Sequence, residues 1–161
     1  MQPHEYDDLG ALTLDANTSL DGHVHDLEYE AELADVRARA EAPSTVVLVA
    51  VDGDGTLLGG VTEVVDHTSP FAEGTPVDAA AIRMLAVSRA AQRRGAGEAL
   101  VRACIDRARE RGKAAVVLHT TPWMTTAHRL YERIGFVRYP AHDVQITAEV
   151  LLLGYRLELV P

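Results

Sequence analysis

The run from Ala79 to Gly112, AAAIRMLAVSRAAQRRGAGEALVRACIDRARERG, constrains the chain most, because its pattern changes character twice. Ile82 to Val87 is apolar apart from Arg83, which suits a strand buried on both faces, and the polarity switches at Ser88. Gln92-Arg93-Arg94-Gly95-Ala96-Gly97 follows, and two glycines around one small residue let backbone N–H groups approach a ligand with no Cβ in the way. From Gly97 the apolar positions recur as Val101, Cys104, Ile105 and Ala108, a helical stripe, while Arg102, Asp106, Arg109 and Glu110 point elsewhere. Gly112 reads as a left-handed cap after a last turn whose Arg109 and Arg111 suit the negative end of a helix. The sequence therefore predicts strand, glycine turn and long amphipathic helix in immediate succession.

Such a junction gathers unpaired amides and the positive end of the helix dipole at one point, a site for phosphate, and Arg93 and Arg94 reinforce it. No Gly-Lys-Ser/Thr occurs, so this is not a Walker loop, and GAGEAL has leucine where the dinucleotide fingerprint has its third glycine. Over these six residues alone, an ordinary turn whose glycines only permit tight packing would look the same. Gln-x-x-Gly-x-Gly after Leu85-Ala86-Val87 resembles the acyl-coenzyme A loop of the GNAT superfamily of N-acetyltransferases. AHRLYERIGF, from Ala127 to Phe136, resembles the second signature of that family. The similarity runs from about Thr45 onward, and before it only the order of elements matches.

The resemblance implies one domain over residues 1–161 with an α/β (α+β) GNAT fold, a central mixed twisted sheet flanked by about four helices. It implies an N-acetyltransferase of the bacterial single-domain type, passing the acetyl group of acetyl-CoA to a primary amine of a small-molecule or protein acceptor by direct attack. The backbone of Leu85, Ala86 and Val87 would lie along the pantetheine arm, with an N–H polarising the thioester carbonyl. Gln92, Arg93, Arg94, Gly95, Ala96, Gly97 and Glu98 would hold the pyrophosphate, and Tyr131 would be the general acid toward the leaving sulfur. By periodicity alone Tyr131 is a core residue, since it shares the apolar face of a helix with Ala127, Leu130 and Ile134.

Three positions depart from the family pattern. Only Met1, Gln2 and Pro3 precede the first predicted helix, so the opening strand is missing or vestigial, which leaves a sheet edge exposed or covered by a partner such as a second copy of the chain. Ala81 stands where relatives often carry a carboxylate base; Glu63 on the neighbouring strand is the best substitute, His119 the next, and a water chain the third. Met124 stands where relatives frequently place an asparagine that contacts coenzyme A. Ala81 and Met124 keep open a non-catalytic module that holds acyl-CoA on the same fold, and Tyr131 argues against it.

Composition narrows the partners. A net charge of −9 argues against nucleic acid and suits a cationic amine. No apolar run is long enough to span a bilayer, and MQPHEYDDLG lacks the basic-then-apolar order of a signal peptide. The single cysteine, Cys104, falls on the buried stripe as a core thiol. These features point to a cytoplasmic protein with no membrane partner.

The remaining pattern predicts helices over His4–Asn17 and Leu27–Ala42, which in GNAT folds wall the acceptor site. Predicted strands cover Thr45–Val51 and Leu57–Asp66, joined by the Asp52-Gly53-Asp54-Gly55 turn, then Lys113–Thr120, Phe136–Tyr139 and Val150–Leu159, with a loop over Pro140–Thr147. Thr125 is the expected N-cap of the second signature helix. Asp52 to Glu63 has the length of a calcium loop, but Thr56 and Leu57 occupy positions that need a ligand and a glycine. His23-Val24-His25 offers two metal ligands without a third of credible spacing, so no metal is expected. Trp123 either lines the acceptor pocket or shields the helix start.

Overall fold

The computed structural model describes residues 1–160. A short 3₁₀ turn, Pro3–Glu5, runs straight into helix α1, Tyr6–Thr18. Helices α2, Leu27–Ala34, and α3, Val36–Glu41, precede strands β1, Thr45–Val51, β2, Leu57–Val64, and β3, Ala79–Val87. Helix α4, Ala96–Glu110, crosses to β4, Ala115–Thr120, and α5, Thr125–Ile134, leads into three last strands, β5, Val137–Arg138, β6, Val144–Gln145, and β7, Leu151–Glu158. The main path of the sheet is β1-β2-β3-β4-β7-β5, parallel only between β3 and β4. Among the described residues no strand precedes α1, so β1 ends the sheet with one edge free of a strand partner.

Two faces result. Helices α4 and α5 cover one, where Leu100, Val101, Cys104, Ile105 and Ala108 of α4 pack with Val61, Ala80, Ile82, Val116 and Leu118 of the sheet. Each large aliphatic buried in this way contributes about 1.5–3 kcal/mol. On the other face Leu9 of α1 and Val36 of α3 pack on Val47, and Gly60 lets α1 come this close, since a Cβ there would lie 2.6 Å from Leu9 Cδ1.

The helix predicted over Leu27–Ala42 is two helices broken at Asp35, whose carboxylate accepts the Ala38 N–H at 3.0 Å and so starts α3. Arg39 is buried: its Nη1 donates to the carbonyls of Glu32, Leu33 and Asp35 at 2.5, 3.2 and 3.3 Å, satisfying the frayed end of α2. The helices therefore number five among the described residues, one more than the pattern suggested. The predicted loop Pro140–Thr147 contains a 3₁₀ turn and the short β6, which pairs with β7. Thr125 lies in the first turn of α5 and makes no cap bond; Met124 precedes it.

A candidate acyl-coenzyme A site where two strands part

Strands β3 and β4 pair in register only from Ala79↔Ala115 to Ile82↔Leu118. Beyond that point both continue, to Val87 and to Thr120, without pairing with each other, so the sheet opens into a wedge. A bulge accompanies the opening. Gly60 opposes Ala86 and Thr62 opposes Arg83, so Met84 and Leu85 together face Val61 alone. Met84 takes a positive φ of 53°, uncommon for a side chain of its size. The inserted residue returns Leu85 to the α4 face, where it packs with the cluster containing Ile82.

At the mouth of the wedge the chain turns through a 3₁₀ turn, Arg89–Ala91, into the loop before α4. Gly95 has a left-handed φ of 82°, and a Cβ there would point into open space. As N-cap it offers no side chain to the helix, and the first intrahelical bond is Ala99 N–H to Gly95 C=O at 3.0 Å. The amides of Gly95, Ala96, Gly97 and Glu98 have no partner among the described residues. Arg93, itself at φ 65°, and Arg94 are exposed beside them, as is Gln92. This is a cradle for an anion built from backbone, as the glycine spacing predicted. Glu98 contributes only its N–H: its carboxylate pairs with Arg102 at 2.9 Å and Arg133 at 2.8 Å, ties α4 to α5, and is held below the usual carboxylate range by those bonds.

Tyr131 lies on α5 against the wedge, 6% exposed, in the cluster that holds Ile82, Leu118 and Cys104. Its ring meets Phe136 edge-on at 5.8 Å and Tyr155 at 6.2 Å. Burial pushes its phenol well above the ordinary tyrosine value, with the Cys104 side chain adding in the same sense, so the hydroxyl keeps its proton at any physiological pH. The hydroxyls of Thr120 and Thr121, where β4 leaves the wedge, are buried without a hydrogen-bond partner. Sequence reasoning passed over both, because threonine at the end of a strand carries no local signal. Unpaired buried hydroxyls and unpaired amides are the polar groups that a pantetheine amide and a pyrophosphate would satisfy, so these residues fit acetyl-CoA.

Glu63 does not join this group. It is fully buried on the α4 face and clamped by Arg107 Nε at 2.6 Å and Arg111 Nη1 at 2.7 Å, both at the end of α4 remote from the glycine loop. His119, at the end of β4, bonds the carbonyl of His142 through Nε2 at 2.6 Å. A carbonyl can only accept, so Nε2 carries the hydrogen. Met124 is half-buried at the α5 start, and Trp123 packs against Gly22, where a Cβ would lie 3.3 Å from Trp123 Cβ. The tryptophan thus joins the α1–α2 connection to the end of β4. A cleft of about 320 Å³ separates Leu12, Asp15 and Ser19 of the α1 end from Val87, Ser88 and Gln92. No helix is long and apolar enough to cross a membrane among the described residues.

The profile of the acetyltransferase (GNAT) family matches residues 11–136, and the chain belongs to that family. It is 34% identical over 108 residues to mycothiol acetyltransferase of Cellulomonas flavigena, covering 65% of this chain and 31% of that one, so it spans about a third of the length of that relative. Its fold is similar to a GCN5-related N-acetyltransferase from Kribbella flavida, with a TM-score of 0.74, 23% identity and coverage of 99% and 95% of the two chains. A Salmonella typhimurium protein solved with its cofactor acetyl-CoA is also similar, with a TM-score of 0.64, 20% identity and coverage of 100% and 92%.

Proposed function

We propose that the chain transfers the acetyl group of acetyl-CoA to a primary amine. The observation that carries this reading is the parting of β3 and β4 beside an uncapped, glycine-headed helix start. The amides from Gly95 to Glu98, with Arg93 and Arg94, hold the pyrophosphate; the Leu85–Val87 backbone lines the pantetheine arm. Acetyl-CoA brings the activated thioester, and the chain supplies positions for two protons.

A free amine has an unperturbed pKa of roughly 10.4 and must lose a proton before or as its nitrogen attacks the thioester carbon. His119 Nδ1 takes that proton: in the neutral ring whose Nε2–H bonds the His142 carbonyl it is the nitrogen with a lone pair, at the end of β4, whereas the Glu63 oxygens are both engaged by arginines. As the carbon–sulfur bond breaks, the Tyr131 hydroxyl gives its proton to the sulfur. The same apolar surroundings that raise the phenol also disfavour a bare thiolate, so the two affinities for the proton rise together. The acidic chain favours a cationic acceptor.

Thiol release from acetyl-CoA, followed colorimetrically with a panel of amines, tests the reading. Turnover that requires an amine is expected, and a His119→Asn variant should lose about 10–100-fold in kcat/KM with acetyl-CoA affinity kept. Failure to bind acetyl-CoA in calorimetry would overturn the site itself; binding without amine-dependent release would leave only an acyl-CoA-binding module.

A further inference from the structure

The connection between α1 and α2 brings together three groups that acetyl transfer does not use. His23 Nε2 lies 3.1 Å from Glu30 Oε1, and His25 Nδ1 lies 2.8 Å from the same oxygen. The three ligand-type atoms all fall within 4.8 Å of one another. The two imidazoles stand edge to face, 4.9 Å apart, each aiming a nitrogen at one point. Glu30 is the third ligand that spacing along the chain did not reveal. It sits one turn into α2, beyond the Asp26 cap, and the helix swings it back over the histidine pair.

We infer that His23, His25 and Glu30 form a site for a divalent transition metal of the zinc type, with a fourth position open to solvent. Two imidazoles and a carboxylate are a ligand set that zinc accepts. Tetrahedral zinc at bond lengths of about 2.0–2.1 Å sets its ligand atoms roughly 3.3 Å apart, so the trio, spread within 4.8 Å, closes by up to about 1.5 Å. His25 can supply that movement: its side chain is 76% exposed, while the His23 and Glu30 side chains are held at 8% and 17%. The ion would replace a hydrogen-bonded trio by three metal bonds and fix the α1–α2 connection, which Gly22 seats on Trp123 beside the end of β4. The site is independent of acetyl-CoA.

The test uses the full chain, free of any affinity tag, titrated with Zn²⁺ against a chromophoric chelator near neutral pH. One tight Zn²⁺ per chain is expected, and Co²⁺ in its place should show the intense visible bands of a four- or five-coordinate ion. Glu30→Gln, His23→Gln and His25→Gln should each weaken Zn²⁺ binding by about tenfold or more. His67→Gln, remote in the chain and outside the trio, should leave it unchanged. Because His25 is exposed, its variant keeps the test decisive even if the other two fail to fold. Absence of a tight Zn²⁺ equivalent, or an affinity that survives His25→Gln, would overturn the inference.

Discussion

The two sides of the wedge are built by different means. On the α4 side the ligand-facing groups are backbone amides, held by a left-handed glycine, a bulge and a helix start, with side chains such as Glu98 and Glu63 turned to internal ion pairs. On the α1–α2 side the chemistry resides in side chains: His23 and His25 in the connection, Glu30 on α2, and Trp123 between β4 and α5. A backbone site accepts any anion of the right size and tolerates changes of its side chains. A site of side chains chooses its ligand and changes with each substitution. The first arrangement suits an anion such as a pyrophosphate, the second an ion chosen by its ligands.

Perturbations of the two sides would break or sharpen this contrast. The largest effect is expected from Tyr131→Phe, the one side chain on the α4 side assigned a proton: kcat should fall by about a thousandfold, near 4 kcal/mol, while acetyl-CoA affinity stays within a few-fold. Unchanged turnover in steady-state assays would remove the tyrosine from the reaction. Next comes Glu63→Ala, which leaves Arg107 and Arg111 without their shared carboxylate. A loss of about 3 kcal/mol is expected in urea unfolding, toward the low end for a buried pair because both arginines are a third exposed. Turnover per folded molecule should persist, and its abolition at full stability would restore Glu63 as a base.

Gly95→Val should weaken acetyl-CoA binding by about 100-fold in calorimetry: a β-branched residue resists φ 82° at a cost of about 1–2 kcal/mol, and its side chain obstructs charge-assisted bonds from the amides. Arg93→Ala and Arg94→Ala should each cost only a few-fold, and less at high salt, because exposed charges are screened. Arginine variants that outweigh the glycine would reverse the contrast.

The smallest effect concerns Cys104, whose thiol burial pushes from 9.0 up to about 12. A raised folded value stabilises fully below pH 9 and is lost as pH rises from there toward 12, so alkaline unfolding should steepen over that window. At pH 8 the native thiol should resist a chromogenic disulfide reagent and react only as the chain unfolds. Rapid labelling of the native protein would show that the α4 core opens.

What the sequence disclosed was local. The apolar run to Val87, the glycine turn and the α4 stripe lie within one continuous stretch, and each repeats a period that a short window detects. The α4–α5 face and the second signature followed for the same reason. What stayed hidden depends on distance along the chain: Glu63 meets Arg107 and Arg111 across separations of 44 and 48 residues, so its burial as an ion pair is invisible in a strand pattern that shows only one acid among apolar neighbours. The break at Asp35 was missed because aspartate reads equally as a charged helical surface and as a cap. The burial of Arg39 leaves no mark in the sequence because its partners are backbone carbonyls, which carry no sequence signature. Glu30 was missed because a helix, not a spacing, brings it to the histidines.

The bulge at Met84 makes β3 two half-strands joined out of phase. Up to Ile82 the alternation serves the sheet; from Leu85 it serves the wedge. The position is therefore tolerant of chemistry: another flexible side chain at 84 would leave the phase intact. Deleting that one residue would set Leu85 alone opposite Val61 and keep Leu85, Ala86 and Val87 on their faces while removing the kink; flattening the bulge with Met84 retained would turn all three onto the opposite faces. Strand β3 works here as an elbow: the extra residue bends it at one fixed point, and the ligand-facing half takes its direction from that bend.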